Sequence, residues 1–253
     1  MRRFHTQPEC ITASTITFTG PEAKHICQVL RLKLGELIEV FDGSGTIYLT
    51  QLTSMDKNKV EAQILNHLDA PRPTHPLYVA QSLLKGKKMD FLYQKLTELS
   101  VEGLYPFVSQ FSEEKPRQAK QNERWQRISL EACKQSKRPT TMECFPVSSF
   151  NDLLESCSIY KTKIVFWENE DENFLSSFPE IFRSGSPTII MLGPEGGFSS
   201  SEVDAARAKG FTSLSLGPRI LRAETAAVAA TSIIQFMMGN LSSRAVIDWE
   251  RSS

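Results

Sequence analysis

The sequence predicts an α/β protein in which a small β-barrel precedes a parallel sheet covered by helices. Three observations predict it. Short strands separated by turn residues fill the first 70 positions, three prolines fall within residues 71–76, and strands alternate with helices from there on. The expected domains are therefore a barrel over 1–70, a linker over 71–76, a larger domain over 77–245 and a tail over 246–253.

In the first domain, Ile11 to Phe18 alternates with Thr and Ser, and Glu36 to Phe41 is a compact apolar strand closed by Asp42-Gly43-Ser44-Gly45. Ile47 to Leu52 and Val60 to Leu65 read as further strands, and Glu22 to Leu32 as the single helical stretch. Several short strands closed by turns suggest a barrel. The prolines at 71, 73 and 76 fit neither a helix nor a central strand.

In the second domain, Leu77 to Leu84, Leu104 to Val108, Ile164 to Trp167, Thr188 to Leu192 and Ser213 to Leu216 read as strands. Helices are expected over Asp90 to Ser100, with Leu92, Leu96 and Leu99 on one face, and over Arg124 to Ser136, with Trp125, Ile128 and Ala132 on one face. A further helix, Ala226 to Met238, is apolar almost all round, so it must be buried, against the sheet or against a second subunit. Alternation of this kind gives a parallel sheet with both faces covered.

Composition limits the function. No run approaches the roughly 18 apolar residues of a membrane span, and Met1 to His5 lacks the apolar start of a secretory signal. The five cysteines, Cys10, Cys27, Cys133, Cys144 and Cys157, show no C-x-x-C spacing, so neither zinc nor a disulfide framework is expected, and a reducing cytoplasm fits. Net charge is zero, but charge is uneven. Eight basic residues between Lys115 and Arg138 face only Glu123 and Glu131, a local charge of about +6. That stretch can bind phosphate or be a solvated helix face.

Two loops carry the chemistry. The first, Leu192-Gly193-Pro194-Glu195-Gly196-Gly197-Phe198, follows a strand and precedes a helix started by Ser199 and Glu202, which form a capping box, and ended by Gly210. Such loops lie at the carboxyl ends of parallel strands, where ligands bind. It has no Lys-Ser/Thr and no G-x-G-x-x-G, and Glu195 would repel a pyrophosphate. It is either a tight turn or the wall of a site for a ligand without phosphate, and S-adenosylmethionine meets that description. The second loop, Leu216-Gly217-Pro218-Arg219-Ile220-Leu221-Arg222-Ala223-Glu224-Thr225, again joins strand to helix, so the two can form opposite walls of one pocket.

These two loops together resemble the signature pair of the ribosomal RNA small subunit methyltransferase E family, enzymes of the SPOUT superfamily. Met1-Arg2-Arg3-Phe4, the stretch His25 to Arg31, Lys88-Met89, Gln94-Lys95, Glu98-Leu99 and Glu131-Ala132-Cys133 with Gln135 and Arg138 extend the resemblance over nearly the whole chain. It implies a PUA-like RNA-binding barrel, a SPOUT-type parallel sheet with a deep trefoil knot, a homodimer, and methylation of N3 of one uridine in 16S ribosomal RNA using S-adenosyl-L-methionine. The family pattern has Gly where this chain has Ser100, and Ser-Glu-Arg where it has Ser109-Gln110-Phe111. The second departure is expected not to touch the cofactor motifs.

The expected cofactor residues are Leu192, Gly193, Pro194, Glu195, Gly196, Gly197, Leu216, Gly217, Ile220, Leu221, Arg222 and Thr225, with no metal. Arg138 and Arg222 are the candidate catalytic cations, since charge developing at uridine O2 or O4 needs one nearby. Arg2, Arg3, Arg31, Lys88 and Arg138 are candidates for RNA contact, with 16S ribosomal RNA in the small subunit as the partner. No general base stands out, because His5, His25, His67 and His75 all lie in or beside the first domain. Competing readings are an assembly factor of the same fold without catalysis and a SPOUT enzyme with another RNA target.

Overall fold

The structure is a computed structural model that describes residues 1–70, 73, 75–114, 118–175 and 186–241. Residues 71, 72 and 74 of the expected linker, Lys115 and Arg117 of the basic stretch, and the expected tail lie outside the described residues. The chain divides into two compact units, one holding residues 1–70 with Cys133–Thr141, the other the remaining described residues. Among the described residues no helix is long and apolar enough to cross a membrane.

The first unit is built on five strands, β1 (Arg3–His5), β2 (Thr15–Thr19), β3 (Leu37–Phe41), β4 (Thr46–Met55) and β5 (Lys59–Asp69), in the order β1-β3-β4-β5-β2. Only β1 and β3 run parallel. Register shifts at Leu49/Thr50 and Leu52/Ser54 bend the long β4–β5 ribbon. Phe4, Ile16, Phe18, Val40, Leu52 and Val60 fill its core. Strand β1 was not expected, β4 and β5 are longer than expected, and two further elements differ from the sequence reading. Strand β2 begins at Thr15, not Ile11, because Thr12 Oγ1 accepts from the N–H of Thr15 at 3.0 Å and closes a turn there. The helix expected to Leu32 is α1 (Gly20–Lys24) followed by a π-helical turn over His25–Val29.

The second unit contains β6 (Leu77–Ser82), α2 (Lys88–Glu98), β7 (Gly103–Val108), α3 (Gln118–Ser136, of which Cys133 onward belongs to the first unit), β8 (Glu143–Cys144), β9 (Ser148–Ser149), α4 (Phe150–Ser156), β10 (Thr162–Phe166), β11 (Thr188–Leu192), α5 (Ser200–Ala208), β12 (Thr212–Leu214) and α6 (Ala223–Met237). Its parallel sheet runs β12-β10-β11-β6-β7-β8, with β9 also beside β7. Both faces are covered. Ile190 and Leu192 of β11 share a core with Leu92, Leu96, Trp125 and Ala230, while Ile189 and Met191 share another with Leu153, Val203 and Ala206. That division follows the alternation of side chains along a strand.

Strand β12 stops two residues before the expected Leu216. Ser215 N–H donates to the Asn173 carbonyl at 2.8 Å, so the chain leaves the sheet to pair with the loop after β10. Helix α6 buries one face, with Ala227, Ala230 and Ile234 fully enclosed, but leaves Ile233 44% and Phe236 71% exposed. The expectation of all-round burial therefore holds on one side only within a single chain.

Candidate active site

The ends of β10, β11 and β12 bring three loops around a cavity of about 630 Å³, within the range of small-molecule sites. From the loop after β11, Leu192, Gly193, Pro194, Glu195 and Gly197 line it. From the loop after β12 come Leu216, Gly217, Ile220, Leu221 and Arg222, with Arg219 beside them. Gly196 and Thr225 do not line it. The third wall, with Trp167, Glu168, Asp171 and Phe174, was not among the expected residues. The acidic cluster after Ile164 to Trp167 is visible in the sequence, but its place at the site depends on β10 lying between β11 and β12.

Local chemistry fixes the loop after β11. The Gly197 N–H donates to the Pro194 carbonyl at 3.1 Å, closing a turn in which Gly197 takes φ 72°, a conformation that favours glycine. Ser199 then caps α5. Its Oγ accepts from Glu202 N–H at 3.3 Å, and Glu202 Oε2 accepts from Ser199 N–H at 3.0 Å, the capping box expected from sequence. Glu202 Oε1 also accepts from Gln110 N–H at 2.8 Å. A Cβ added to Gly196 would lie 2.9 Å from Phe111 Cβ. The Gln110-Phe111 departure thus packs against the cofactor motif, which corrects the expectation that it would not.

Charge around the cavity is organised by Lys88, at the first position of α2. Its Nζ donates to Glu195 Oε1 at 3.0 Å and lies 3.2 Å from Glu224 Oε2, an ion pair without hydrogen-bond geometry. The hydrogen bond to Glu195 is the largest influence holding the ammonium above its ordinary pKa. Burial pushes the Glu195 carboxyl up, but Lys88, the residue's own backbone N–H and that of Lys85 hold it below the ordinary range. Lys88 was expected to contact RNA, whereas here its ammonium is engaged by two carboxylates and it lines the cavity.

The Glu170 carboxylate is committed to structure, accepting from Glu172 and Asn173 N–H at 3.2 and 3.1 Å and from Arg207 Nη2 at 2.9 Å. Glu168 and Asp171 have no hydrogen bond or ion pair among the described residues, so two carboxylates face a cavity that also offers Leu192, Leu216, Leu221 and Ala226. Acid for a cation and apolar walls for a purine fit S-adenosylmethionine. They do not fit a polyphosphate.

The arginines separate. Arg222 lines the cavity and is exposed. Arg138 belongs to the first unit, is buried, and donates from Nε to Thr140 Oγ1 at 3.2 Å, so it does not line the cavity as a catalytic cation would. Arg2 and Arg31 are exposed, as an RNA contact requires. Arg3 is buried against Glu39, with Nε 3.3 Å from Oε2, because β1 pairs Arg3 directly with Glu39 of β3. That removes Arg3 from the surface expected to meet RNA.

Comparison with known proteins agrees with both units. Residues 70–235 match the RNA methyltransferase domain model and residues 18–65 the RNA methyltransferase PUA domain model. The chain is 33% identical over 239 residues to ribosomal RNA small subunit methyltransferase E of Bacillus subtilis (strain 168), covering 91% of this chain and 93% of that protein. It is 33% identical over 221 residues to the protein of the same name from Aquifex aeolicus (strain VF5), covering 84% and 90%. The crystal structure of ribosomal RNA small subunit methyltransferase E from Neisseria gonorrhoeae, bound to S-adenosyl methionine, is similar at 34% identity. Its TM-score is 0.83, and the match covers 94% of this chain and 98% of that one.

Proposed function

Because the chain belongs to the ribosomal RNA small subunit methyltransferase E family, we propose that it methylates N3 of one uridine in 16S ribosomal RNA of the small subunit. It is an S-adenosylmethionine-dependent methyltransferase. The observation that carries this reading is the cavity between the Leu192–Phe198 and Leu216–Arg222 loops, the two segments that hold the family signature.

When bound, the cofactor supplies an electrophilic methyl group on a sulfonium. Leu192 to Glu195 with Gly197, and Leu216 to Leu221, would hold and orient it, and Glu168 and Asp171 supply negative charge to that wall. Alignment of nucleophile, methyl carbon and leaving group is the main catalytic demand. Uridine N3 carries a proton that must pass to solvent, before or during transfer, for its lone pair to take up a methyl group. It lies on the Watson–Crick edge, so the base must be unpaired or flipped out. Arg222, at the cavity, is placed to offset charge developing on uridine O2 or O4. Arg2 and Arg31 serve the RNA backbone.

The rest of the reading follows the family. The protein acts in the cytoplasm as a homodimer, and its loops form a trefoil knot. The test is transfer of labelled methyl to small ribosomal subunits lacking the modification, followed by nucleoside analysis. Label in 3-methyluridine supports the assignment. Label in another nucleoside overturns the target, and cofactor binding without transfer to these subunits overturns the substrate.

A further inference from the structure

We propose that Gln81 is a positioning residue for the cofactor-binding loop, acting through the carbonyl of Gly193. The inference rests on the cavity being the cofactor site. Gln81 sits next to the end of β6 and lies opposite Leu192, the last residue of β11. Its side chain is wholly enclosed in the middle of the parallel sheet, where an apolar residue would be expected. The Nε2 donates across to the Gly193 carbonyl at 2.9 Å and to the Ser82 carbonyl at 3.0 Å, so both of its hydrogens are used. The Oε1 is buried and has no hydrogen-bond partner among the described residues.

A half-satisfied amide in a sheet interior costs stability. What the molecule gains lies on the donor side. Gly193 is followed by Pro194, so the Gly193–Pro194 peptide has no N–H and the carbonyl is its only hydrogen-bonding group. Gln81 does not line the cavity, while Gly193 and Pro194 do. The carbonyl is therefore engaged by the sheet, and the peptide is held in one orientation where it borders the ligand. The turn that follows, closed by Gly197 N–H on the Pro194 carbonyl at 3.1 Å, starts from that fixed peptide. Removing the donor frees the carbonyl to rotate, which loosens the wall against which the cofactor packs without touching the RNA-facing residues.

The test uses the full chain, with S-adenosylmethionine as the probe in titration calorimetry and circular dichroism to check folding. Gln81→Met keeps the length but removes both donors. It is expected to weaken cofactor binding by about five- to tenfold, and KM for the cofactor should rise while KM for small ribosomal subunits stays unchanged. Gln81→Glu supplies a readout that simple packing would not move. A neutral carboxyl can donate to the Gly193 carbonyl and a carboxylate cannot. Its affinity relative to wild type should therefore recover as pH falls from about 8 to about 5, within reach of a buried acid. Wild-type binding with unaltered affinity in Gln81→Met, or a pH-independent ratio for Gln81→Glu, overturns the role of Gln81. Absence of binding by the wild-type chain would instead remove the cofactor reading on which it rests.

Discussion

Lys88 Nζ lies 3.0 Å from Glu195 Oε1 and 3.2 Å from Glu224 Oε2, so one ammonium joins the loop after β11 to the first turn of α6. The three side chains are 33%, 27% and 19% exposed. Solvent screening at that exposure limits their contribution to stability to under about 1 kcal/mol. The effect on binding should be larger, because Glu195 is part of the cavity wall and loses the ammonium that holds it in place. Lys88→Met should leave the melting temperature nearly unchanged and raise the Kd for S-adenosylmethionine several-fold. Calorimetric titration decides, and equal affinity would show that the clamp does not shape the site.

The same pair sets a pH window. Glu195 is held below its ordinary value of 4.5, so its contribution is complete above that value and fades as pH falls through the lower folded-state value. Lys88 is held above its ordinary 10.5, so its contribution is complete below that value and fades as pH rises through the higher folded-state value. The contribution of this pair to stability should therefore be flat between these limits. In Lys88→Met the burial of Glu195 remains while its largest stabilising partner is gone, so the acid limb should move to higher pH. Urea unfolding of both proteins across the acid range checks this, and superimposable acid limbs would sink it.

Local features of the site were legible in the sequence and non-local ones were not. The Ser199–Glu202 capping box depends on residues within a few positions of each other and appears as read, while the first loop, offered as either a tight turn or a ligand wall, is a turn at Gly197 that also lines the cavity. Trp167 and Glu168 reach the cavity because β10 lies between β11 and β12, an outcome of strand order that no local pattern encodes. Arg3 looked like an exposed basic end, yet a parallel pairing with β3, 36 residues on, places it against Glu39. Lys88 carries a charge suited to RNA, but two acids distant in sequence claim it.

Arg3 and Glu39 give a prediction about stability. Their side chains are 3% and 7% exposed, with Nε 3.3 Å from Oε2. Removing one partner of a buried pair leaves an uncompensated charge and costs about 3–5 kcal/mol, whereas replacing both with apolar groups of similar size is often neutral. Glu39→Ala should therefore be far more damaging than Arg3→Met combined with Glu39→Leu. Urea unfolding of the two proteins gives the answer. Equal destabilisation would mean the pair holds the fold by more than compensating a buried charge.

Ser100 occupies φ 59° directly after α2, where its N–H donates to the Thr97 carbonyl at 3.0 Å and Val101 N–H to the Leu96 carbonyl at 3.0 Å. This is the left-handed position that ends many helices, and a side chain there costs about 1 kcal/mol relative to glycine. The glycine of the family pattern at this place has that physical reason. Ser100→Gly should raise stability by about 1 kcal/mol, a little reduced by the added freedom of the unfolded chain, with no change in methyl transfer. Thermal unfolding of the variant measures it, and a lower melting temperature would refute the assignment.

Helix α6 supplies the last prediction. Ala227, Ala230 and Ile234 face the core with no exposed surface, while Phe236 is 71% and Ile233 44% exposed on the opposite side. A helix whose second face is also apolar is stable in water only when something covers that face. The homodimer proposed above provides the cover, since a second copy presents the same patch to itself about a twofold axis. Phe236→Glu would then bury a charge twice in the same interface, so it should yield monomers, while the inner face and the fold remain intact. Light scattering on both proteins tests this. If the wild-type chain is already a monomer, the homodimer and the role of this face in it are both overturned.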